Sequence, residues 1–107
     1  NFSAKIVTTH EKRALGLSRR QELCRDCAML FIFEKPDNFS FWMKDMMFDL
    51  DIIWISGGEI TGIDKNVSHK RGSAEVVRPQ IPVDKVLEIN AGESDRLKLK
   101  AGDKVEF

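Results

Sequence analysis

Few residues in this chain have types and spacings that could do chemistry. Two cysteines stand as Cys24-Arg25-Asp26-Cys27, and the two histidines, His10 and His69, lie far apart. No GxSxG, HExxH or phosphate-loop pattern occurs. A redox CxxC needs a strand before it and a helix after it, so that the helix N-terminus lowers a thiol pKa. Here the order is inverted, with a helical turn expected before and a buried strand after. Zinc would need two further ligands, and neither histidine stands at finger spacing. Cys24 and Cys27 therefore read as a local disulfide or two plain thiols, with no metal. The other candidates are the carboxylates Asp51, Asp64 and Glu88, with Lys44 as a cation, Trp42 as a wall and Met43 between them in sequence.

The elements that must position these side chains centre on Ala28 to Ile55. That stretch holds both tryptophans, all four methionines and five of the seven phenylalanines, so the core is founded there. Ala28 to Phe33 is an unbroken apolar run, the pattern of a strand covered on both faces. Glu34-Lys35-Pro36-Asp37-Asn38 reads as a turn. Phe39 to Lys44 alternates, and Leu50 to Ile55 forms another strand. Met46-Met47-Phe48 between them should fold at least one side chain under the sheet. Ser56-Gly57-Gly58-Glu59 is a hairpin signal, because Gly-Gly accepts the positive dihedrals of a tight turn. It pairs Ile55 with Ile60, Trp54 with Thr61, Ile53 with Gly62 and Ile52 with Ile63.

Outside this centre, Ala4 to Thr8 reads as a strand, and Thr8 opens a capping box closed by Glu11 that starts a short helix. Asn66 to Pro82 lacks periodicity; it carries the chain's basic patch and a sequon-like Asn66-Val67-Ser68. Val86 to Asn90 is a strand with Leu87 and Ile89 on one face and Val86, Glu88 and Asn90 on the other. Glu93 to Leu99 suits a short helix, acidic at its start and basic at its end. A last strand is expected over Lys104 to Phe107. The fold class is mainly β (α+β): one small domain spanning residues 1–107, a curled, largely antiparallel sheet tending to a barrel, and one or two short helices.

If Phe39–Lys44 and Leu50–Ile55 pair as antiparallel neighbours, Lys44 faces Asp51 and Trp42 faces Ile53, apolar against apolar along both faces. Through the Gly57-Gly58 turn, Asp64 then falls opposite Asp51, and Gly62 leaves room for the Trp42 indole. Lys44, Asp51 and Asp64 would gather at one end of one face.

Seventeen basic residues balance seventeen acidic ones, so no overall field draws the chain to nucleic acid. No window reaches the roughly 18 apolar residues that span a bilayer. No leader is visible, but a trimmed mature form would look the same. No cofactor motif is present.

The chain resembles the family called domain of unknown function 192. The likeness runs through Gly16-Leu17, Met29-Leu30-Phe31, Phe41-Trp42-Met43-Lys44, Leu50-Asp51-Ile52-Ile53, Val86-Leu87-Glu88-Ile89-Asn90-Ala91-Gly92 and Gly102-Asp103. It implies a small β-rich domain, and location outside the cytoplasm or in the cell envelope of a prokaryote, often behind a leader; a cytoplasmic place is the alternative. Ala28 stands where members usually have Gly, and Asp49 where they commonly have Pro. The cysteine pair is not part of the pattern.

Three functional readings follow. A binding module would hold a small molecule or peptide on a face built from Trp42, Met43, Lys44, Asp51, Asp64 and Glu88. An enzyme would use Asp51, Asp64 or Glu88 as acid or base with Lys44 beside them. A structural or protein-interaction domain of the envelope would use the surface alone. The missing nucleophile–base motif favours binding over catalysis.

Overall fold

The computed structural model describes residues 3–7, 27–38, 40–42, 48–68 and 76–105 of the 107-residue chain. The described residues form seven strands: β1 (Ser3–Val7), β2 (Cys27–Asp37), β3 (Phe41–Trp42), β4 (Leu50–Ser56), β5 (Glu59–Val67), β6 (Val76–Val77) and β7 (Val83–Asn90). A single turn of helix, α1 (Glu93–Arg96), follows β7. Five strands form one sheet in the order β1-β2-β7-β4-β5, antiparallel throughout except for the parallel β1–β2 edge. β3 and β6 form a separate two-stranded sheet. The main sheet is open, with β1 and β5 as its two edges, so the expected closure towards a barrel does not occur among the described residues.

The apolar runs explain the centre. β4 is buried from Leu50 to Ile55, and its neighbours β2 and β7 bury Met29, Leu30, Phe31, Val86 and Ile89. Side-chain alternation divides these between two faces. One face carries Met29, Phe31, Phe33, Ile52, Trp54 and Val86, with Phe48 and Val77 packed against it. The other carries Leu30, Ile53, Ile55, Ile60, Leu87 and Ile89, closed by Leu99 and Val105. A sheet covered on both sides buries near-continuous apolar runs, as the sequence shows. Phe48 is half-buried and packs against this face, in the direction expected; Met46 and Met47 lie outside the described residues.

Several expectations are corrected. β2 does not turn at Glu34 but runs on through Pro36 to Asp37. Its ladder with β7 passes from Ile32↔Lys85 to Asp37↔Val83, so Pro36 sits in a bulge where no ladder N–H is required. β3 pairs with β6, and both sides of β4 are taken by β7 and β5, so Trp42 does not face Ile53 as expected; Lys44, expected opposite Asp51, lies outside the described residues. α1 ends at Arg96 rather than Leu99, and Lys104 makes only an isolated bridge to Glu59 where a strand was expected. The helix expected after Thr8 lies outside the described residues.

The Gly57-Gly58 turn forms as the sequence states, with φ of 59° and 80°. Ile55 pairs with Ile60, but the register then slips by one: Trp54 faces Gly62, Ile53 faces Ile63 and Ile52 faces Asp64. Thr61 is the extra residue, and its hydroxyl donates to the Trp54 carbonyl at 3.3 Å. A second shift lies between Ile52↔Asp64 and Leu50↔Val67, where Asn66 takes a positive φ of 54°. The free edge of β5 is defended by that bulge and by exposed Lys65. Near the turn, the C-terminal segment covers the same edge through Ile60 N–H to the Asp103 carbonyl (2.9 Å) and Gly102 N–H to the Ile60 carbonyl (2.7 Å).

Asp51 locks these irregular segments together. Its side chain is 0% exposed and accepts four hydrogen bonds. The Asn66 N–H, freed by the bulge, donates to Oδ1 at 2.9 Å. Oδ2 accepts from Gly92 N–H (3.1 Å), Ser94 N–H (3.0 Å) and Ser94 Oγ–H (2.6 Å). Gly92 is the N-cap of α1 and has no side chain to cap with, so Asp51 supplies the acceptor from another strand. Asp51→Asn keeps the shape but aims an amide N–H at one of these donors. We expect it to cost roughly 3 kcal/mol or more in urea denaturation, and Ser94→Ala about 1–2 kcal/mol. A loss below about 0.5 kcal/mol for Asp51→Asn would remove Asp51 from this role.

Candidate functional site

The three carboxylates singled out in the sequence do not meet. Asp51 lies in register with Ile89, on the face of Leu87 and Ile53, and is committed to the four donors just described. Glu88 and Asp64 lie on the opposite face, in one cross-strand row: Met29 on β2, Glu88 on β7, Ile52 on β4 and Asp64 on β5. Two inter-strand steps separate the backbones of Glu88 and Asp64, roughly 10 Å.

Glu88 is 6% exposed, between Met29 and Ile52, which are 2% and 1% exposed. Among the described residues it forms no hydrogen bond or ion pair. Burial with nothing to replace the lost water pushes its carboxyl up from 4.5 to about 8. At neutral pH it is therefore a neutral acid, offering one donor and spare acceptor capacity. A carboxyl that titrates near neutrality can also serve as a proton donor or acceptor.

Asp64 Oδ2 accepts the Trp54 indole N–H at 2.7 Å. This satisfies the one polar atom of a tryptophan that is otherwise 2% exposed. The register slip at Thr61 makes the contact, since it places Gly62 opposite Trp54. A Cβ on Gly62 would stand 3.6 Å from Trp54 Cδ1, so the indole lies over the bare backbone there. Gly62, expected to leave room for the Trp42 indole, accommodates that of Trp54.

Trp42 lies in β3 opposite Val76. Met43 and Lys44 lie outside the described residues, as does Cys24; Cys27 is the first residue of β2. Among the described residues no three His, Cys, Asp or Glu side chains gather as a metal ion would require. Nor is any helix there long and apolar enough to cross a membrane. Sequence reasoning missed Ser94, Gly92 and Asn66 as partners of Asp51, and Trp54 as the partner of Asp64. All four contacts cross the fold or depend on a bulge, and no local pattern announces them.

The fold and the site define a small, mainly β domain whose main sheet is open and carries a buried Glu88 without a hydrogen-bond partner among the described residues. Comparison with known sequences gives its family. DUF192, described as Uncharacterized ACR, matches residues 1–107, and the chain belongs to that family. Two solved structures are similar. A protein of unknown function from Novosphingobium aromaticivorans is 34% identical, with a TM-score of 0.91, over 99% of this chain and 75% of that one. A candidate transcription regulator from Sinorhizobium meliloti is 33% identical, with a TM-score of 0.90, over 98% of this chain and 81% of that one. Comparison with curated proteins finds no match.

The raised Glu88 carboxyl has a consequence for stability. The unfolded chain releases this proton near pH 4.5, whereas the folded chain holds it to about 8. The contribution of Glu88 is therefore full below the lower value and lost as pH rises through the upper one, by an amount on the order of a few kcal/mol. Denaturation across that interval should show stability falling in the wild type and a flatter profile in Glu88→Gln. Parallel profiles for the two would contradict the assignment.

Proposed function

We propose that this protein is a binding module that holds a small molecule or a peptide, with Glu88 as the polar centre of its site. One observation carries the reading: Glu88 is buried, at 6% exposure, with no hydrogen-bond or ion-pair partner among the described residues. Asp51, equally buried, is used completely by the fold. A buried polar group without a partner is costly, and binding sites are where such groups persist. Asp64, held by Trp54, is the second polar group of this face. Trp42, Met43 and Lys44 belong to the proposed site as the stretch leading into β4. An extracytoplasmic or cell-envelope location is part of the proposal.

A second reading has an observation of its own. The Glu88 proton is held to about pH 8, where a general acid works at neutral pH, so an acid/base enzyme is the alternative. The regulator description of the Sinorhizobium protein is not carried over, because 17 basic residues against 17 acidic ones give this chain no electrostatic pull towards nucleic acid. An envelope interaction domain would need neither Glu88 nor its proton.

Capture of small molecules from cell extract, followed by mass spectrometry, tests the proposal. A compound or short peptide retained by the wild type and lost with Glu88→Leu is the expected result. Identical retained sets from the two proteins would contradict it, and chemical conversion of a retained compound would favour the enzyme.

A further inference from the structure

We propose that Asn66 is a site of N-linked glycosylation, its side-chain amide taking an oligosaccharide from a polyprenyl diphosphate carrier as the chain is exported. The inference needs the extracytoplasmic location already proposed and makes no use of Glu88.

Sequence and structure meet at this residue. Asn66-Val67-Ser68 is the Asn-x-Ser acceptor pattern, with no proline at its centre. Asp64, two residues before Asn66, extends it to the acidic-x-Asn-x-Ser form that bacterial oligosaccharyltransferases read. A carboxylate at that position offers a transferase guanidinium a bidentate partner.

The fold then leaves the acceptor at the surface. In a regular strand Asn66 would share a face with Asp64, whose carboxylate is turned to the Trp54 indole. The bulge between Ile52↔Asp64 and Leu50↔Val67 prevents this, since a bulge re-aims the side chains it contains. Lys65 and Asn66 are exposed in succession, and Val67 returns to the core. Asn66 has a φ of 54°, a left-handed conformation that asparagine tolerates better than most residues. Its backbone N–H is turned inward to Asp51 at 2.9 Å, while the residue itself stands exposed on an edge strand of the main sheet. A saccharide on Asn66 is therefore compatible with the folded state.

Transfer itself precedes folding. A transferase must grip the acceptor and the hydroxyl two residues on, with the segment free of the sheet. In the native fold Val67 is 4% exposed and paired with Leu50, and the Asn66 N–H is tied to Asp51. In the reaction the sugar C1–O bond to the diphosphate breaks and a bond from C1 to Asn66 Nδ2 forms. The polyprenyl diphosphate leaves with the bonding pair, and one amide proton passes to a base of the transferase.

Two measurements test the site. The protein is recovered from the cells that make it, fractionated by compartment, and the peptide containing Asn66 is read by mass spectrometry. A saccharide on Asn66 in exported protein is the expected result. Exported protein with Asn66 entirely bare would overturn the inference and leave the location standing, whereas cytoplasmic protein with Asn66 bare would overturn both. In the second measurement, the full chain is directed to the periplasm of a bacterium equipped with an oligosaccharyltransferase and its lipid-linked donor. Intact mass should rise by one glycan in the wild type and in Ser68→Thr, and stay unshifted in Asn66→Gln and Ser68→Ala. No rise in the wild type, or a rise that persists in Asn66→Gln, would overturn the site. The same chain, folded and purified first, should take no glycan from the isolated transferase, and equal modification would overturn transfer before folding.

Discussion

The buried carboxylate of Asp51 is the interaction on which the rest of the fold depends. It joins three places far apart in sequence: β4, which carries it, the bulge at Asn66 and the turn at Gly92–Ser94. Each has a backbone N–H that the regular ladder or helix cannot satisfy. A single acceptor-only side chain satisfies them together, and charge-assisted bonds of this kind are the strong ones. The bulge and the left-handed Gly92 are stable because Asp51 is there. The sheet edge at β5 and the start of α1 are positioned by the same group.

The contrast with Glu88 gives the molecule its functional interest. Both carboxyls are buried on central strands, one on each face of the sheet. Asp51 is surrounded by donors, whereas the residues in register with Glu88 across the sheet, Met29 and Ile52, offer none. Desolvation acts on both, and only in Asp51 is it offset by hydrogen bonds. Natural cores rarely keep such a group idle, because replacing it with an apolar residue of similar size would raise stability. Packing among the described residues gives no reason for Glu88, and this is why recognition of a ligand is proposed for it.

Much of the fold was legible in the sequence, and the reason is local. Gly57-Gly58 between two apolar runs fixed the hairpin, and alternation in Val86-Leu87-Glu88-Ile89 placed Glu88 on the face of Val86, away from Leu87. The unbroken run Ala28–Phe33 announced a strand covered on both sides. Which strands are neighbours was not legible. β7 inserts between β2 and β4, a pairing of distant segments that periodicity cannot report, since it states faces and not partners. The site failed on register for the same reason. One extra residue, Thr61, moved Asp64 from opposite Asp51 to opposite Ile52, and so to the other face, where it meets Trp54. The candidate residues themselves were found, but the clustering proposed for them was not.

The central claim is that Glu88 is held as a neutral acid at neutral pH while the fold stays intact. Carbon-detected NMR of the Glu88 side-chain carboxyl, followed through a pH titration of the native protein, tests it directly. The expected midpoint is displaced to about 8. A midpoint near the ordinary 4.5 would contradict it, and would return Glu88 to the ranks of solvated carboxylates.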